Sequence, residues 1–308
     1  MPVVHHLGIE LAEGSFRLAE IRATDGYPVV LRCDDVETDR TFGFSLLHET
    51  PDSEIHAKAF LTTLARLVLS KPLFSSRATL VIPSGSAVIA TIPIDAALRK
   101  EERRAQLAWE CMTLSAMPPG TAFHIHTKTI SRGGSAHTVL LCAVPRKTVE
   151  FLSTALRHLT LEVTDIEIDH FLFESVAEQV AGNSSTCALI GISPGRTLVS
   201  VFDGDRYLGF RAAAHMPGEA SRTALRLIRD ILYPSGAAIA STVLYGPAAD
   251  EDVARRFREL LAVPVRLLRP LDRLAFIAGS VAEGARSRPA WFYSAALYAA
   301  LKGVSCAS

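Results

Sequence analysis

The chain has 308 residues, and its 32 Lys and Arg residues balance 32 Asp and Glu residues, so its formal net charge is zero. This balance argues against a strongly basic nucleic-acid-binding protein and against an acidic solvating tail. A hydrophobic fraction of 49% is typical of a folded globular chain, and the length indicates about two domains.

Short strands and helices alternate through the first half of the chain. Apolar residues and turns at Gly14 and Gly26 predict three opening strands that form a meander. Helical spacing of apolar residues predicts helices over residues 54–70, 96–116 and 146–159. Further strands are predicted over residues 79–82, 88–92, 123–130 and 138–144.

The second half repeats the opening pattern after a polar connection at residues 182–185. Leu7-Gly8-Ile9-Glu10, with its turn and following strand, parallels Ile190-Gly191-Ile192-Ser193. Each copy continues with a third strand and a helix, and a last helix is predicted over residues 289–302. This self-similarity indicates a duplicated domain, and the cleft between two such halves is where ligands usually bind.

Four stretches resemble the PilM family of actin-like proteins, which act in type IV pilus assembly. They are the hairpin at residues 7–21, the strand pair at 81–93, the Ala108-Trp109-Glu110 helix and the strand-helix-strand unit at 143–167. The C-terminal helix also fits that family. The resemblance implies an α/β, actin-like (ribonuclease-H-like) duplicated fold with an inserted FtsA-type 1C-like subdomain.

The resemblance also implies a division of the chain into five parts. Residues 1–83 form the first actin-like core and residues 84–162 the inserted subdomain. Residues 163–184 connect to a second core with a reduced lid, residues 185–288. Residues 289–308 form a C-terminal helix that packs on the first core.

A non-enzymatic role follows from the same resemblance. PilM-like proteins bind nucleotide and the short cytoplasmic N-terminus of PilN, an inner-membrane protein. We therefore expect a cytoplasmic adaptor that binds the N-terminal peptide of a PilN-like partner at the inner face of the inner membrane. Self-association is compatible with this role, whereas a nucleic-acid partner is not expected. The residue pattern predicts no signal peptide and no membrane span, because residues 1–14 lack a basic region followed by an apolar run and no apolar stretch approaches the length of a span.

The resemblance places a nucleotide between the halves, where hairpin turns cradle phosphates and a carboxylate holds Mg²⁺ through water. The matching positions are Glu10, Gly14, Gly195, Arg196, Thr197 and Gly246. Glu10 as an exposed strand-end charge and residues 195–197 as an ordinary turn remain open alternatives.

The nucleotide motifs depart from the family pattern. Glu10 replaces the usual Asp, Ser193 stands where a second carboxylate is expected, and Pro194 removes a backbone donor. We therefore expect no cofactor or weak binding of ATP and Mg²⁺, and no catalytic residue. The alternative is an active actin-like ATPase or small-molecule kinase that binds Mg-ATP between the halves.

The inserted subdomain predicts a groove that can hold an extended peptide. Its candidate wall residues are Val88, Ile92, Trp109 and Met112, and core packing is the alternative for each. No metal site is predicted, because His124 and His126 share a strand face without an evident third ligand. The five cysteines lie far apart and predict neither a disulfide framework nor a zinc cluster.

Overall fold

A computed structural model of the chain describes residues 3–12, 14–25, 27–38, 54–115, 117–174, 186–204, 206–233, 236–269, 274–276, 288–289 and 291–306. The predicted turn at Gly26 and the polar connection at residues 182–185 lie outside these ranges.

The first half is built on a six-stranded sheet. Its strands are β1 (Val4–Ala12), β2 (Ser15–Thr24), β3 (Tyr27–Glu37), β4 (Arg77–Ile82), β8 (Glu162–Ile168) and β14 (Ala275–Phe276), in the order β14-β3-β2-β1-β4-β8. The first three strands form an antiparallel meander, whereas β4 runs parallel to β1 and β8 parallel to β4. Helices α1 (Glu54–Val68) and α3 (Arg146–His158) cover one face of this sheet.

The second half repeats this sheet. Its strands are β9 (Thr186–Ser193), β10 (Arg196–Asp203), β11 (Arg206–Ala214), β12 (Ser241–Tyr245) and β13 (Val265–Leu267), in the order β11-β10-β9-β12-β13. An antiparallel meander is again followed by two parallel strands. Helices α4 (Ala220–Leu232) and α5 (Glu251–Leu261) pack against it. The five strands β3-β2-β1-β4-β8 of the first sheet match the second sheet in order and direction, which confirms the predicted duplication, and β14 is an addition to the first sheet.

A smaller three-stranded sheet is inserted into the first half. It contains β5 (Val88–Asp95), β6 (Phe123–Arg132) and β7 (Ala136–Pro145), in the antiparallel order β5-β7-β6, with α2 (Lys100–Ser115) on one face. By pairing and packing, β8 and α3 belong to the first half, because β8 pairs with β4 and α3 shares the core under α1. The insertion therefore ends at β7 and is shorter than the predicted segment of residues 84–162.

The last helix, α6 (Ser294–Cys306), packs on the opposite face of the first sheet from α1. The helix begins later than the predicted residue 289, because residues 291–293 form a turn. The Tyr293 hydroxyl in this turn donates to Asp35 Oδ1 at 2.5 Å. The packing on β1 is very close, since a Cβ atom on Gly8 would lie 1.9 Å from the carbonyl oxygen of Ala296. Within the described residues, no helix is both long enough and apolar enough to cross a bilayer.

Candidate functional site

The predicted nucleotide residues at the ends of β1 and β10 contribute charge to the crevice between the halves. Asp169, at the start of a helical segment over residues 169–174, interacts electrostatically with both Glu10 and Arg196. Glu10 of the first half and Arg196 of the second half therefore both lie close enough to Asp169 to affect its pKa. Asp169 itself comes from the helical segment that follows β8.

Glu10 is held by an arginine of the neighbouring strand. Arg17 Nη1 donates to Glu10 Oε1 at 3.0 Å, and the Arg17 guanidinium stacks 4.1 Å from the ring centre of Phe292. The other Glu10 oxygen, Oε2, is buried without a hydrogen-bond partner, and burial raises the pKa of this carboxyl. Glu10 is thus not an exposed strand-end charge, and its carboxylate already has a cationic partner.

Asp169 is a crevice residue that the sequence reasoning missed. Its Oδ1 accepts hydrogen bonds from the backbone N–H groups of Ser84, at 3.0 Å, and His170, at 2.6 Å. Burial outweighs these bonds and raises the pKa of Asp169 to about 6. The sequence contains one signal that points to Asp169. Acidic and apolar residues alternate in Asp165-Ile166-Glu167-Ile168-Asp169, so that Asp169 continues the acidic positions of β8 beyond the end of the strand.

The three predicted glycines adopt the left-handed conformation that favours glycine, but they differ in their surroundings. Gly14 and Gly195 form the hairpin turns, with φ values of 74° and 80°. A Cβ atom on Gly195 would meet open space, whereas one on Gly246 would lie 2.5 Å from the Ile192 carbonyl oxygen. Ala248 N–H also donates to that oxygen at 3.0 Å. Protein backbone therefore packs directly against the turn at Gly246, one of the predicted nucleotide-binding positions.

Thr197 does not lie where an anion contact requires. Its side chain is fully buried, its Oγ1 has no hydrogen-bond partner, and it lies on the face of β10 that carries Val199 and Val201 to the helices. The alternation of strand side chains explains this, because Arg196 lies on the other face. Arg196 is half-buried and is the residue of this turn whose charge reaches the crevice.

A tyrosine side chain covers the strand that leads to the second hairpin. A Cβ atom on Gly191 would lie 2.4 Å from the Tyr245 ring, so the absence of a side chain at Gly191 makes room for the tyrosine. The Tyr245 hydroxyl lies 2.6 Å from His170 Nδ1, and both side chains are buried. Protein side chains therefore fill this part of the crevice.

His170 and Tyr245 belong to a buried polar network centred on Ser200. Ser200 Oγ donates to Glu174 Oε1 at 2.6 Å, and it lies 2.8 Å from His170 Nε2 and 2.9 Å from the Tyr207 hydroxyl. Because the single hydroxyl proton of Ser200 goes to Glu174, His170 Nε2–H donates to Ser200 and Nδ1 accepts from Tyr245. Burial lowers the pKa of His170 to about 3, in keeping with this neutral ring.

The network joins all three parts of the molecule. His170 and Glu174 come from the helical segment after β8, and Ser200 comes from the second half. Lys128 of the insertion places its Nζ 3.7 Å from Glu174 Oε2 and 4.3 Å from the Tyr207 ring centre. Ser200 is not an activated nucleophile, because it donates to the acid and not to the histidine and is fully buried.

The predicted peptide-groove residues divide into two groups. Val88 and Ile92 are each only 6% exposed and lie in the core between α2 and the inserted sheet, so their placement on an open groove wall was wrong. The reason is strand alternation, which directs both side chains towards α2. Met112 is partly buried against the same core, whereas Trp109 is 57% exposed on α2.

The described ranges contain no group of three or more His, Cys, Asp or Glu side chains that could hold a metal ion. His124 and His126 are both exposed on β6.

Comparison with known proteins identifies the fold. No family model and no curated protein matches the chain. Its structure is similar to a chain of a PilM-PilN type IV pilus biogenesis complex, with a TM-score of 0.70 at 15% identity, over 98% of this chain and 99% of that chain. It is also similar to a Bacteroides thetaiotaomicron protein with an actin-like ATPase fold and unknown function, with a TM-score of 0.53 at 12% identity, over 86% of this chain and 91% of that one.

These likenesses define the chain as an actin-like fold. The predicted fold class is thereby confirmed, and the resemblance to PilM-like proteins is confirmed at the level of the fold.

Proposed function

We propose that this protein is a cytoplasmic, actin-like adaptor of type IV pilus assembly or a related secretion system. It binds the N-terminal peptide of a PilN-like inner-membrane protein. The observation that carries this proposal is the likeness to the PilM-PilN structure, which extends over 98% of this chain and 99% of that chain. At this coverage the inserted sheet, both halves and the last helix are all included.

The chemistry of the crevice supports an adaptor without ATP turnover. Phosphoryl transfer requires charges positioned on the nucleotide and its metal ion. Here Glu10 is already paired with Arg17, Thr197 is buried in the core, and the Tyr245 ring occupies space beside the second hairpin. Ser193 offers no carboxylate at the corresponding position of the second half. We therefore propose that the nucleotide site is degenerate.

The alternative of an active ATPase or kinase rests on Asp169. This buried carboxyl has a pKa raised to about 6 and lies near Glu10 and Arg196, in a setting that suits proton transfer. Mg-ATP would then raise the melting temperature by several degrees, because a ligand that binds only the folded state stabilises it. No shift at saturating Mg-ATP would exclude this alternative.

Helix α2 provides the surface that we assign to the peptide. Trp109 is exposed and Met112 is half-buried beneath it, so together they offer an apolar contact beside the inserted sheet. Exposed aromatic side chains of this kind are common anchors in protein interfaces. The inserted sheet ends in β5 and β6, whose outer edges pair with no other described strand, and such an edge can pair with an extended peptide.

Fluorescence anisotropy with the labelled N-terminal peptide of a PilN-like protein encoded nearby tests this function. The wild-type protein binds the peptide saturably, and Trp109→Ala weakens binding at least about tenfold, which corresponds to ~1.4 kcal/mol. Tyr233→Ala is the matched control, because Tyr233 is 87% exposed at the end of α4 in the other half. The absence of saturable binding, or equal losses in the two variants, would contradict the proposal.

A further inference from the structure

A second cleft lies away from the crevice, between the inserted sheet and the edge strand of the second half. Its volume is about 260 Å³. One wall is the insertion, with the hydroxyl residues Thr91, Ser131 and Thr138, and the other is β11, with Arg206 and Arg211. β11 is the edge strand of the second sheet, and no described strand pairs with its outer side.

The two arginines lie on one face of β11 because of an irregularity in the strand. The pairing of β11 with β10 shifts register between Val201 and Phe202, so Arg206 pairs with Asp203 and Arg211 with Val199, both on one face of β10. Without this shift, residues five positions apart would lie on opposite faces. The shift therefore directs both guanidinium groups towards the same cleft.

Neither guanidinium is neutralised within the part of the chain that the structure describes. Arg211 Nη1 donates to the Phe210 carbonyl at 2.9 Å and to Thr91 Oγ1 at 3.3 Å, and no carboxylate lies within ion-pair distance of Arg206 or Arg211 among the described residues. Asp230 on the rim is the opposing charge, and its nearest described cation is Arg229 at 4.0 Å. Among the residues that line the cleft, two cations stand against one acidic group, so the lining carries an excess of positive charge.

We propose that this cleft binds a small phosphorylated molecule. A guanidinium presents paired N–H donors that match phosphate oxygens, and the hydroxyl groups of Thr91, Ser131 and Thr138 supply further donors from the insertion. The ligand would contact both the insertion and the second half, and would thereby stabilise their packing. This inference does not depend on the proposed adaptor role or on the crevice between the halves.

Isothermal titration calorimetry with pyrophosphate at constant ionic strength tests the proposal. The wild-type protein binds pyrophosphate saturably, and the double variant Arg206→Gln/Arg211→Gln loses at least about tenfold in affinity, because each charge-assisted hydrogen bond contributes appreciably. The matched control is Arg222→Gln/Arg226→Gln, which removes the same charge from two exposed residues of α4. This control retains wild-type affinity.

A third variant distinguishes the cleft from the crevice. Arg196→Gln removes the crevice cation and leaves pyrophosphate binding unchanged if the ligand lies against β11. The proposal is overturned if the wild-type protein shows no saturable binding up to about 10 mM. It is also overturned if the control double variant or Arg196→Gln weakens binding as much as Arg206→Gln/Arg211→Gln does. Failure of the peptide titration would leave these outcomes unaffected.

Discussion

Replacement of Ser200 tests whether the buried network holds the parts of the molecule together. The hydroxyl of Ser200 makes hydrogen bonds of 2.6 to 2.9 Å with Glu174, His170 and Tyr207. In Ser200→Ala, the His170 Nε2–H loses its acceptor in a buried site. The Tyr207 hydroxyl can turn to Glu174, with which it already interacts.

The expected cost follows from the His170 N–H, which loses its hydrogen-bond acceptor. A buried polar group without a hydrogen bond costs about 1–3 kcal/mol, so Ser200→Ala should destabilise the protein by about that amount. Thr197→Val is the matched control on the same strand. Thr197 is equally buried, but its hydroxyl has no partner, so its replacement by a methyl group of similar shape should change stability by less than ~1 kcal/mol.

Urea unfolding followed by both circular dichroism and tryptophan fluorescence measures these changes, and agreement of the two probes supports a single transition. An unfolding midpoint of Ser200→Ala at the same urea concentration as that of the wild-type protein would contradict this prediction. The prediction would also be refuted if Thr197→Val were as destabilising as Ser200→Ala.

Three further predictions concern Asp169, the last helix and the crevice. Asp169→Asn keeps an oxygen that can accept from the two backbone N–H groups, but it removes the charge. The pKa of Asp169 in the folded protein is about 6 and exceeds the ordinary value of 3.8. The stability of the wild-type protein therefore falls as the pH rises from about 4 to 6. The difference in stability between variant and wild type, measured by urea unfolding from pH 4 to 7, should therefore grow to at most ~3 kcal/mol in favour of the variant, and a flat difference would contradict this. Gly8→Ala should lower stability by at least ~2 kcal/mol in thermal and urea unfolding, because its Cβ atom would overlap the Ala296 carbonyl, whereas Gly134→Ala, with nothing within 4 Å, should have little effect. Saturating Mg-ATP should leave the melting temperature unchanged, and a shift of several degrees would show that the crevice accepts nucleotide.

The duplicated architecture could be predicted from the sequence because each half carries its own local signals. The strands within each meander are separated by glycine turns, and helices α3, α4 and α5 show strong apolar periodicity. α5 spans residues 251–261, and the Asp250 side chain caps its first turn by accepting from Val253 N–H. Such elements are specified by neighbours in the chain, so spacing alone is informative.

The site residues were less predictable because they depend on which strand face is buried. Val88 and Ile92 are apolar and were assigned to a groove, but the core lies on their side of β5. On α2, Leu107 and Cys111 form the buried face, whereas the predicted groove residue Trp109 is exposed and Met112 is half-buried. A mostly polar helix leaves its buried face weakly specified.

The buried network could not be predicted because its members are distant in the sequence. His170 and Tyr245 are 75 residues apart, and His170 and Ser200 are 30 apart. A polar residue inside an apolar strand, such as Ser200, indicates that some partner is needed. Which partner it finds depends on how the two halves pack, and this is a property of the tertiary structure.

A calorimetric titration of the PilN-like N-terminal peptide, with and without Mg-ATP, tests the adaptor account most directly. We expect saturable binding with the same affinity in both conditions, because our proposal places the peptide on α2, and Tyr245 and His170 fill the part of the crevice beside the second hairpin. Binding that requires Mg-ATP, or no binding in either condition, would contradict it.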